Sequence, residues 1–153
     1  SDVLYLCHVS AERSIRLQAN AGTRYPALVT STGRCILSGW RDAELREFLE
    51  ANPVAAFTDK TETSKEVLFE KIRAVEKDGY ATISDELDYG ITSLAVPVIM
   101  PGRGIVGAVN SSAQTQRVDL ARFAEERKSL VAQAASDIAY ILNSAPDLLD
   151  ALS

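Results

Sequence analysis

The fold is decided by residues 79–112, GYATISDELDYGITSLAVPVIMPGRGIVGAVNSS, which predict a pair of antiparallel strands joined by a tight turn at residues 101–104, PGRG. Proline followed by glycine is typical of such turns. With Met100 opposite Ile105, the antiparallel ladder fixes every further pair. One face is then almost entirely apolar, pairing Met100 with Ile105, Val98 with Gly107, Val96 with Val109 and Leu94 with Ser111.

The other face of this hairpin turns polar at one end, because side chains alternate along a strand. The same register pairs Ile99 with Val106, Pro97 with Ala108, Ala95 with Asn110 and Ser93 with Ser112. A surface of small residues that ends in hydroxyls and an amide is typical of the floor of a small-molecule pocket. The pairing alone leaves open whether Ser93, Asn110 and Ser112 line such a pocket or face solvent.

Composition indicates one globular domain without a nucleic-acid surface of its own. The chain has 153 residues, of which 46% are hydrophobic and 24% charged. This length suits a single core. The formal charge of −5 provides no basic footprint for phosphates, so we expect this chain not to bind DNA by itself.

The first third of the chain predicts a hairpin, a loop and a short helix. Residues 3–9 and 14–19 are rich in strand formers, whereas Gly22 and Pro26 mark residues 20–26 as a loop. A short helix, TSTGRCIL, begins near Thr30 or Ser31. Its free N-terminal amides offer a place for a carboxylate, although an ordinary capped helix with nothing bound is the more common situation.

The remaining elements predict an α+β domain with one antiparallel sheet flanked by helices. Asp42 is expected to cap a helix, and Thr63 with Glu66 forms a capping-box pattern for a helix that ends at Gly79. A strand covers residues 80–84, and a long helix covers residues 120–143. The apolar stripe of this last helix is wide enough either to cover the sheet or to meet a second copy of the chain.

Residues capable of catalysis or metal binding do not form a recognisable motif. Cys35 could act as a nucleophile paired with His8, the only histidine, but its apolar neighbours favour a core position. Asp85, Glu86 and Asp88 could serve an acid or a metal, yet three acids in one loop are usually solvated. We therefore expect no catalytic residue, metal or cofactor. No apolar run is long enough for a membrane span and no signal sequence is present, which favours the cytoplasm.

Three segments in this order resemble a known family: GTRYPALVTSTGRCIL, then GYATISDELDYGITSLAVPV, then GIVGAVNSSAQTQRV after a turn. Together they are similar to the effector-binding domain of the IclR family of bacterial transcription regulators. The similarity is greatest to the branch that governs aromatic-acid catabolism through protocatechuate, p-hydroxybenzoate or β-ketoadipate.

The resemblance implies a GAF-like fold in which residues 1–153 form the effector domain. It also implies an upstream winged helix-turn-helix that this chain lacks, and homodimers or dimers of dimers that reach DNA only through that missing domain. By the family pattern, the effector is a small carboxylate. The positions that match the family's effector contacts are Tyr25, Ala27, Thr30, Gly33, Asp85, Ile91, Ser93, Asn110 and Ser112.

The leading hypothesis is thus a sensor domain that binds a small, aromatic carboxylate. Two alternatives stay open: an enzyme that acts on such an acid through Cys35 or the Asp85 cluster, and a GAF-like dimerisation module whose pocket is filled. Thr32 stands where relatives often carry methionine, and Asn110 where some carry serine, so the pocket shape differs from theirs.

Overall fold

The structure is a computed structural model that describes residues 1–9 and 20–145. Within them, the elements are β1 (Asp2–Leu4), β2 (Arg24–Pro26), α1 (Ser31–Ser38), α2 (Asp42–Ala51), α3 (Lys65–Asp78), β3 (Ala81–Ser84), β4 (Ile91–Met100), β5 (Gly104–Gln114) and α4 (Leu120–Ser144). β3, β4 and β5 form an antiparallel sheet in that order, and β1 pairs with β2 separately. The predicted α+β class is confirmed. None of the helices in this part of the chain is both long and apolar enough to cross a bilayer.

The central hairpin has the predicted register everywhere except beside its turn. Pairs from Val98–Gly107 to Ser93–Ser112 are as expected, but Met100 pairs with Gly104 rather than with Ile105. Ile99 likewise pairs with Ile105 instead of Val106. Positive φ angles of 74° at Gly102 and Gly104 tighten the turn. A bulge between Val98 and Ile99 absorbs the extra residue and restores the register.

Helices cover both faces of the three-stranded sheet. α4 packs on one face, where Leu94 and Val96 contact Phe123 and Val131. α1 and α3 pack on the other, where Cys35, Val75, Ala81 and Ala95 form a small core. A separate apolar cluster joins β1 and α1 to α2 and α3. The first short helix is therefore held between the sheet and the outer helices.

The edges of several predicted elements differ from the sequence prediction. β1 is shorter than residues 3–9, and it pairs with β2, which lies in the segment predicted as a loop. The pairing continues irregularly, since Tyr5 N–H donates to the Thr23 carbonyl and Gly22 N–H to the Tyr5 carbonyl. Gly22, with a φ of 91°, ends the ladder. The strand predicted at residues 14–19 lies outside the described residues.

Two predicted helix caps are displaced by one residue. Ser64, not Thr63, caps α3, because its Oγ accepts the Val67 N–H at 3.3 Å. Asp42 is the first residue of α2 rather than its cap, since Arg41 has the extended backbone of the N-cap position. Gly79 ends α3 in the left-handed conformation, as predicted.

A buried ion pair connects α1 to the loop of residues 85–90, here called the acidic loop. Arg34 is 1% exposed and Glu86 6%. The Arg34 guanidinium donates through Nη1 to Glu86 Oε1 at 2.9 Å and through Nη2 to Oε2, while its Nε donates to the Leu28 carbonyl at 2.9 Å. The Glu62 N–H donates to the same carboxylate at 3.2 Å. The expectation that the acids of this loop are solvated is wrong for Glu86.

We expect removal of either charge of this pair to destabilise the domain strongly. Glu86→Leu leaves the Arg34 charge buried without its partner, which costs about 3–5 kcal/mol. Arg34→Met leaves Glu86 with the Glu62 N–H and with the half-exposed Lys71 at 4.0 Å, so its loss should lie nearer the lower end of that range. The double variant leaves no unpaired charge and should lose less than either single variant. Denaturant unfolding measures the four proteins. Arg122→Met, which breaks the exposed Arg122–Glu126 pair, is the control and should change the free energy of unfolding little. Additive losses in the double variant would contradict this expectation.

Candidate ligand-binding site

A cavity of about 70 Å³ lies between the sheet, the start of α1 and the acidic loop. A single water molecule needs a cavity volume of only about 10–15 Å³, so this cavity has room for a larger ligand. Its lining consists of Tyr5, His8, Tyr25, Thr30, Ile83, Leu87, Asp88, Ile91, Ser93, Asn110 and Ser112. Six residues predicted from the sequence meet here: Tyr25, Thr30, Ile91, Ser93, Asn110 and Ser112.

The polar floor of the cavity follows from the hairpin register. Ser93 pairs with Ser112, and Ala95 pairs with Asn110 one step further along the same face. The Asn110 side-chain amide donates to Ser112 Oγ at 3.1 Å. Ser93 Oγ lies 2.7 Å from Ser31 Oγ, in the first turn of α1. Hydroxyls of both strands thus line this end of the cavity, and Ser31 contacts Ser93 from behind the lining.

The start of α1 is positioned by Thr30. Its Oγ1 accepts the Gly33 N–H at 3.1 Å and donates to the Ala27 carbonyl at 3.2 Å. Amides at the first positions of a helix have no intrahelical acceptor, and the helix dipole is positive there. Thr30 satisfies one of them and itself lines the cavity, so the positive end of the α1 dipole lies beside this end of the cavity and favours an anion there.

Ala27 and Gly33 act behind the cavity rather than in it, since neither lines it. A Cβ atom on Gly33 would lie 2.1 Å from the Ala27 carbonyl oxygen, so only glycine allows the turn before α1 to pack this closely. Asp85 also lies outside the lining. Its Oδ1 accepts the Gly90 N–H at 2.7 Å and the Thr115 hydroxyl at 3.0 Å, and its φ is 58°. Asp85 thus shapes the acidic loop.

Two tyrosines form the aromatic wall. The rings of Tyr5 and Tyr25 meet edge to face with centroids 5.6 Å apart, and Tyr5 OH lies 3.1 Å from Thr32 Oγ1. Burial raises the pKa of Tyr5, with the Thr32 hydrogen bond acting the other way. Burial also raises the pKa of Tyr25. Both phenols therefore remain protonated near neutral pH and can donate hydrogen bonds.

The sequence prediction missed five lining residues: Tyr5, His8, Ile83, Leu87 and Asp88. Ile83 could have been found, because β3 pairs antiparallel with β4 and places Ile83 directly opposite Ser93. The others lie on segments without regular pairing. Tyr5 and His8 lie in the segment of residues 5–9 that follows β1, while Leu87 and Asp88 belong to the acidic loop.

Cys35 and His8 do not form a nucleophilic pair. The Cys35 thiol is fully buried under β4 and donates to the Ala95 carbonyl at 3.2 Å, whereas His8 is exposed at the cavity. Burial raises the pKa of the Cys35 thiol to about 12, so it is protonated and poorly nucleophilic near neutral pH. Across residues 1–9 and 20–145, no group of three histidine, cysteine or acidic side chains is arranged to hold a metal ion.

Comparison with known proteins assigns the class. The family described as bacterial transcriptional regulator IclR C-terminal matches residues 1–140, and the chain belongs to this family. The Pca regulon regulatory protein of Pseudomonas putida is 31% identical over 142 residues, covering 92% of this chain and 49% of that protein. The chain spans about half the length of the curated relatives it matches. These relatives are named transcriptional regulators, so the chain is a regulator domain and not an enzyme.

Two solved structures show the same architecture at moderate sequence identity. IclR of Thermotoga maritima has a TM-score of 0.84 and 26% identity, covering 92% of this chain and 57% of that one. The inducer-binding domain of PobR from Acinetobacter, a double mutant in complex with 3-hydroxybenzoic acid, has a TM-score of 0.76 and 27% identity. That match covers 86% of this chain and 77% of the PobR domain.

The buried thiol predicts a loss of stability at alkaline pH. Below about pH 8, Cys35 is largely protonated whether the chain is folded or unfolded, so it contributes little pH dependence. Between that value and the folded-state pKa of about 12, only the unfolded chain releases the proton. The free energy of unfolding therefore falls as pH rises, by up to about 1.4 kcal/mol per pH unit.

Denaturant unfolding at pH 8 and about pH 10 measures this loss, which Cys35→Ala should reduce. The tyrosines contribute equally to both proteins and cancel in the comparison. Cys7 is exposed, so Cys7→Ala should leave the pH dependence of the wild type intact. An identical slope in the Cys35→Ala and wild-type chains would refute the assignment.

Proposed function

We propose that this chain is the effector-binding domain of a DNA-binding transcription regulator and that its effector is a small aromatic carboxylate. The observation that carries the proposal is the convergence of Thr30, Ser93, Asn110 and Ser112 in one cavity at the start of α1. Neutral hydroxyl and amide side chains line one end, and the rest of the lining is mainly aromatic and aliphatic, with His8 and Asp88 beside it. This distribution suits a ligand with an acid at one end and an apolar ring.

The carboxylate binds at the α1 end of the cavity in this proposal. The lining within the described part of the chain includes no lysine or arginine, so the donors at this end are hydroxyls and the Asn110 amide, next to the positive end of the α1 dipole. Such a site holds an anion through partial charges rather than through a full countercharge. The ring then packs among Tyr25, Ile83 and Ile91, where its apolar surface leaves water.

Two relatives support an aromatic acid. The chain is 31% identical to a protein named Pca regulon regulatory protein. The PobR inducer-binding domain, 27% identical, is in complex with 3-hydroxybenzoic acid. We carry this ligand class to the present cavity because six of its predicted contacts line it. A dimerisation module with a filled pocket fits less well, since space of about 70 Å³ remains beside Ser93 and Asn110.

The regulator as a whole is proposed to bind DNA through a winged helix-turn-helix upstream of this domain. The formal charge of −5 suits a domain that does not itself contact DNA. An effector changes operator binding only if it binds two arrangements of the assembly with different affinity. We place the regulator in the cytoplasm, because the operator DNA of a bacterium lies in that compartment.

Adjacent serines of β5 provide a matched test of the site. Ser112 lines the cavity, whereas the side chain of Ser111 points to the opposite face of the sheet. Isothermal titration of the 153-residue chain with hydroxybenzoates and keto acids should identify at least one ligand.

Loss of a hydrogen bond to a carboxylate costs about 1.5–3 kcal/mol, so Ser93→Ala and Ser112→Ala should weaken binding about tenfold or more. Ser111→Ala should bind as the wild type does. Equal effects of the two β5 substitutions, or no binding to any acid, would refute the site.

We also propose that the chain forms homodimers or dimers of dimers through α4. Leu130 is 64% exposed and Ile141 55%, and with Ile138 they form an apolar strip beside the face that covers the sheet. Exposed strips of this kind mark association surfaces. Leu130→Glu should lower the molar mass measured by light scattering after gel filtration. Ser136→Glu, which adds the same charge on another side of α4, should not lower it. A monomeric wild type would contradict the proposal.

A further inference from the structure

We infer that Asp88 makes the cavity selective for acids that carry a hydroxyl group remote from the carboxylate. This inference rests on the proposed function, because it concerns the other end of the same cavity. Its basis is the contrast between Asp88 and every other polar side chain of the acidic loop, together with the position of Asp88 relative to the α1 end.

The acidic loop is held rigidly on several sides. Glu86 is fixed by Arg34, and Asp85 by the Gly90 amide and Thr115. The Thr58 hydroxyl donates to the Asp85 carbonyl at 2.6 Å, and the Thr61 hydroxyl to the Glu86 carbonyl at 2.7 Å. Tyr89 OH donates to Asp59 at 2.9 Å. A loop with this many restraints presents Leu87 and Asp88 in a defined position.

Asp88 differs from these neighbours because its carboxylate lacks a partner. It is half-buried and lines the cavity, yet it makes no hydrogen bond or ion pair with the residues that the structure describes. An ionised carboxylate only accepts hydrogen bonds. Withdrawing it from water without a donor is unfavourable. A ligand that fills the cavity therefore gains if it brings a donor to Asp88.

The donor must lie at the opposite end of the ligand from its acid. Ser93 marks the α1 end through its 2.7 Å contact with Ser31. Ile91 lies two residues back along β4, roughly 6.6 Å away at the usual strand rise, and the loop residue Asp88 lies beyond it. Like charges repel, so the ligand carboxylate avoids Asp88. Ile83 and Ile91 line the space between the two ends, which suits a ring with a hydroxyl across from the acid.

Besides Asp88 and the two tyrosines, His8 is the titratable side chain of the lining. It is the alternative to Asp88 as the group that selects the ligand. A neutral imidazole can either donate or accept, so it does not discriminate against a ligand that lacks a donor. Asp88 does discriminate, because only a donor satisfies it. A variant of each residue separates the two.

The test is isothermal titration of the 153-residue chain with benzoate, 3-hydroxybenzoate, 4-hydroxybenzoate and 4-methoxybenzoate. The methoxy compound keeps the oxygen and removes the donor. We expect one hydroxy acid to bind at least about tenfold tighter than benzoate and 4-methoxybenzoate, the effect of one hydrogen bond to a charged group. Asp88→Ala should remove this preference while benzoate binds equally well or better. Asp88→Asn, which keeps an acceptor without the charge, should retain part of it.

Two controls accompany these variants. Asp137→Ala removes an exposed carboxylate on α4, outside the lining and apart from the acidic loop, and should keep the preference. His8→Ala should keep it as well. A preference that survives in Asp88→Ala, or acids that bind the wild type without any preference for a hydroxyl, would overturn this inference and leave the proposed function standing. Failure of all four acids and of the keto acids to bind would overturn the proposed function itself.

Discussion

The ion pair between Arg34 and Glu86 is the constraint on which the site depends. It connects the middle of α1 to the acidic loop in a place that water does not reach, and the Arg34 Nε also holds the Leu28 carbonyl. Two walls of the cavity are therefore fixed by one guanidinium. A buried pair adds little net stability by comparison with apolar packing, but its bidentate geometry permits only one arrangement of its partners. Its contribution here is the position of the loop relative to the helix.

The sheet separates structural support from recognition. α4 covers one face with apolar side chains, and that face contributes nothing to the cavity. The opposite face is only partly covered, because α1 is eight residues long and begins above Ser93. Gly33 allows the turn before this helix to approach so closely. The cavity is the space left where a short helix begins over a sheet of small residues.

The sequence predicted the parts of the site that follow from local periodicity. Alternation in β4 and β5 placed Ser93, Asn110 and Ser112 on one face, and the bulge beside the turn did not disturb this, because it lies beyond Val98. Tyr25 and Thr30 followed from the resemblance to a family. The cap of α3 was displaced by one residue because Thr63 and Ser64 are both able to cap a helix. Glu86 was misjudged, since no local pattern indicates that an acid in a loop will meet an arginine 52 positions away.

The sequence by itself determined the hairpin, the long helices, the family and the polar face of the sheet, because these depend on residues close together in the chain. Only the tertiary structure decided which of the loop acids is buried, which one lines the cavity and which side chains close it. Those outcomes depend on contacts between distant segments, such as Tyr5 with Thr32 and Arg34 with Glu86. Burial then decides the chemistry, because the same carboxylate is a structural partner when a guanidinium meets it and a recognition group when none does.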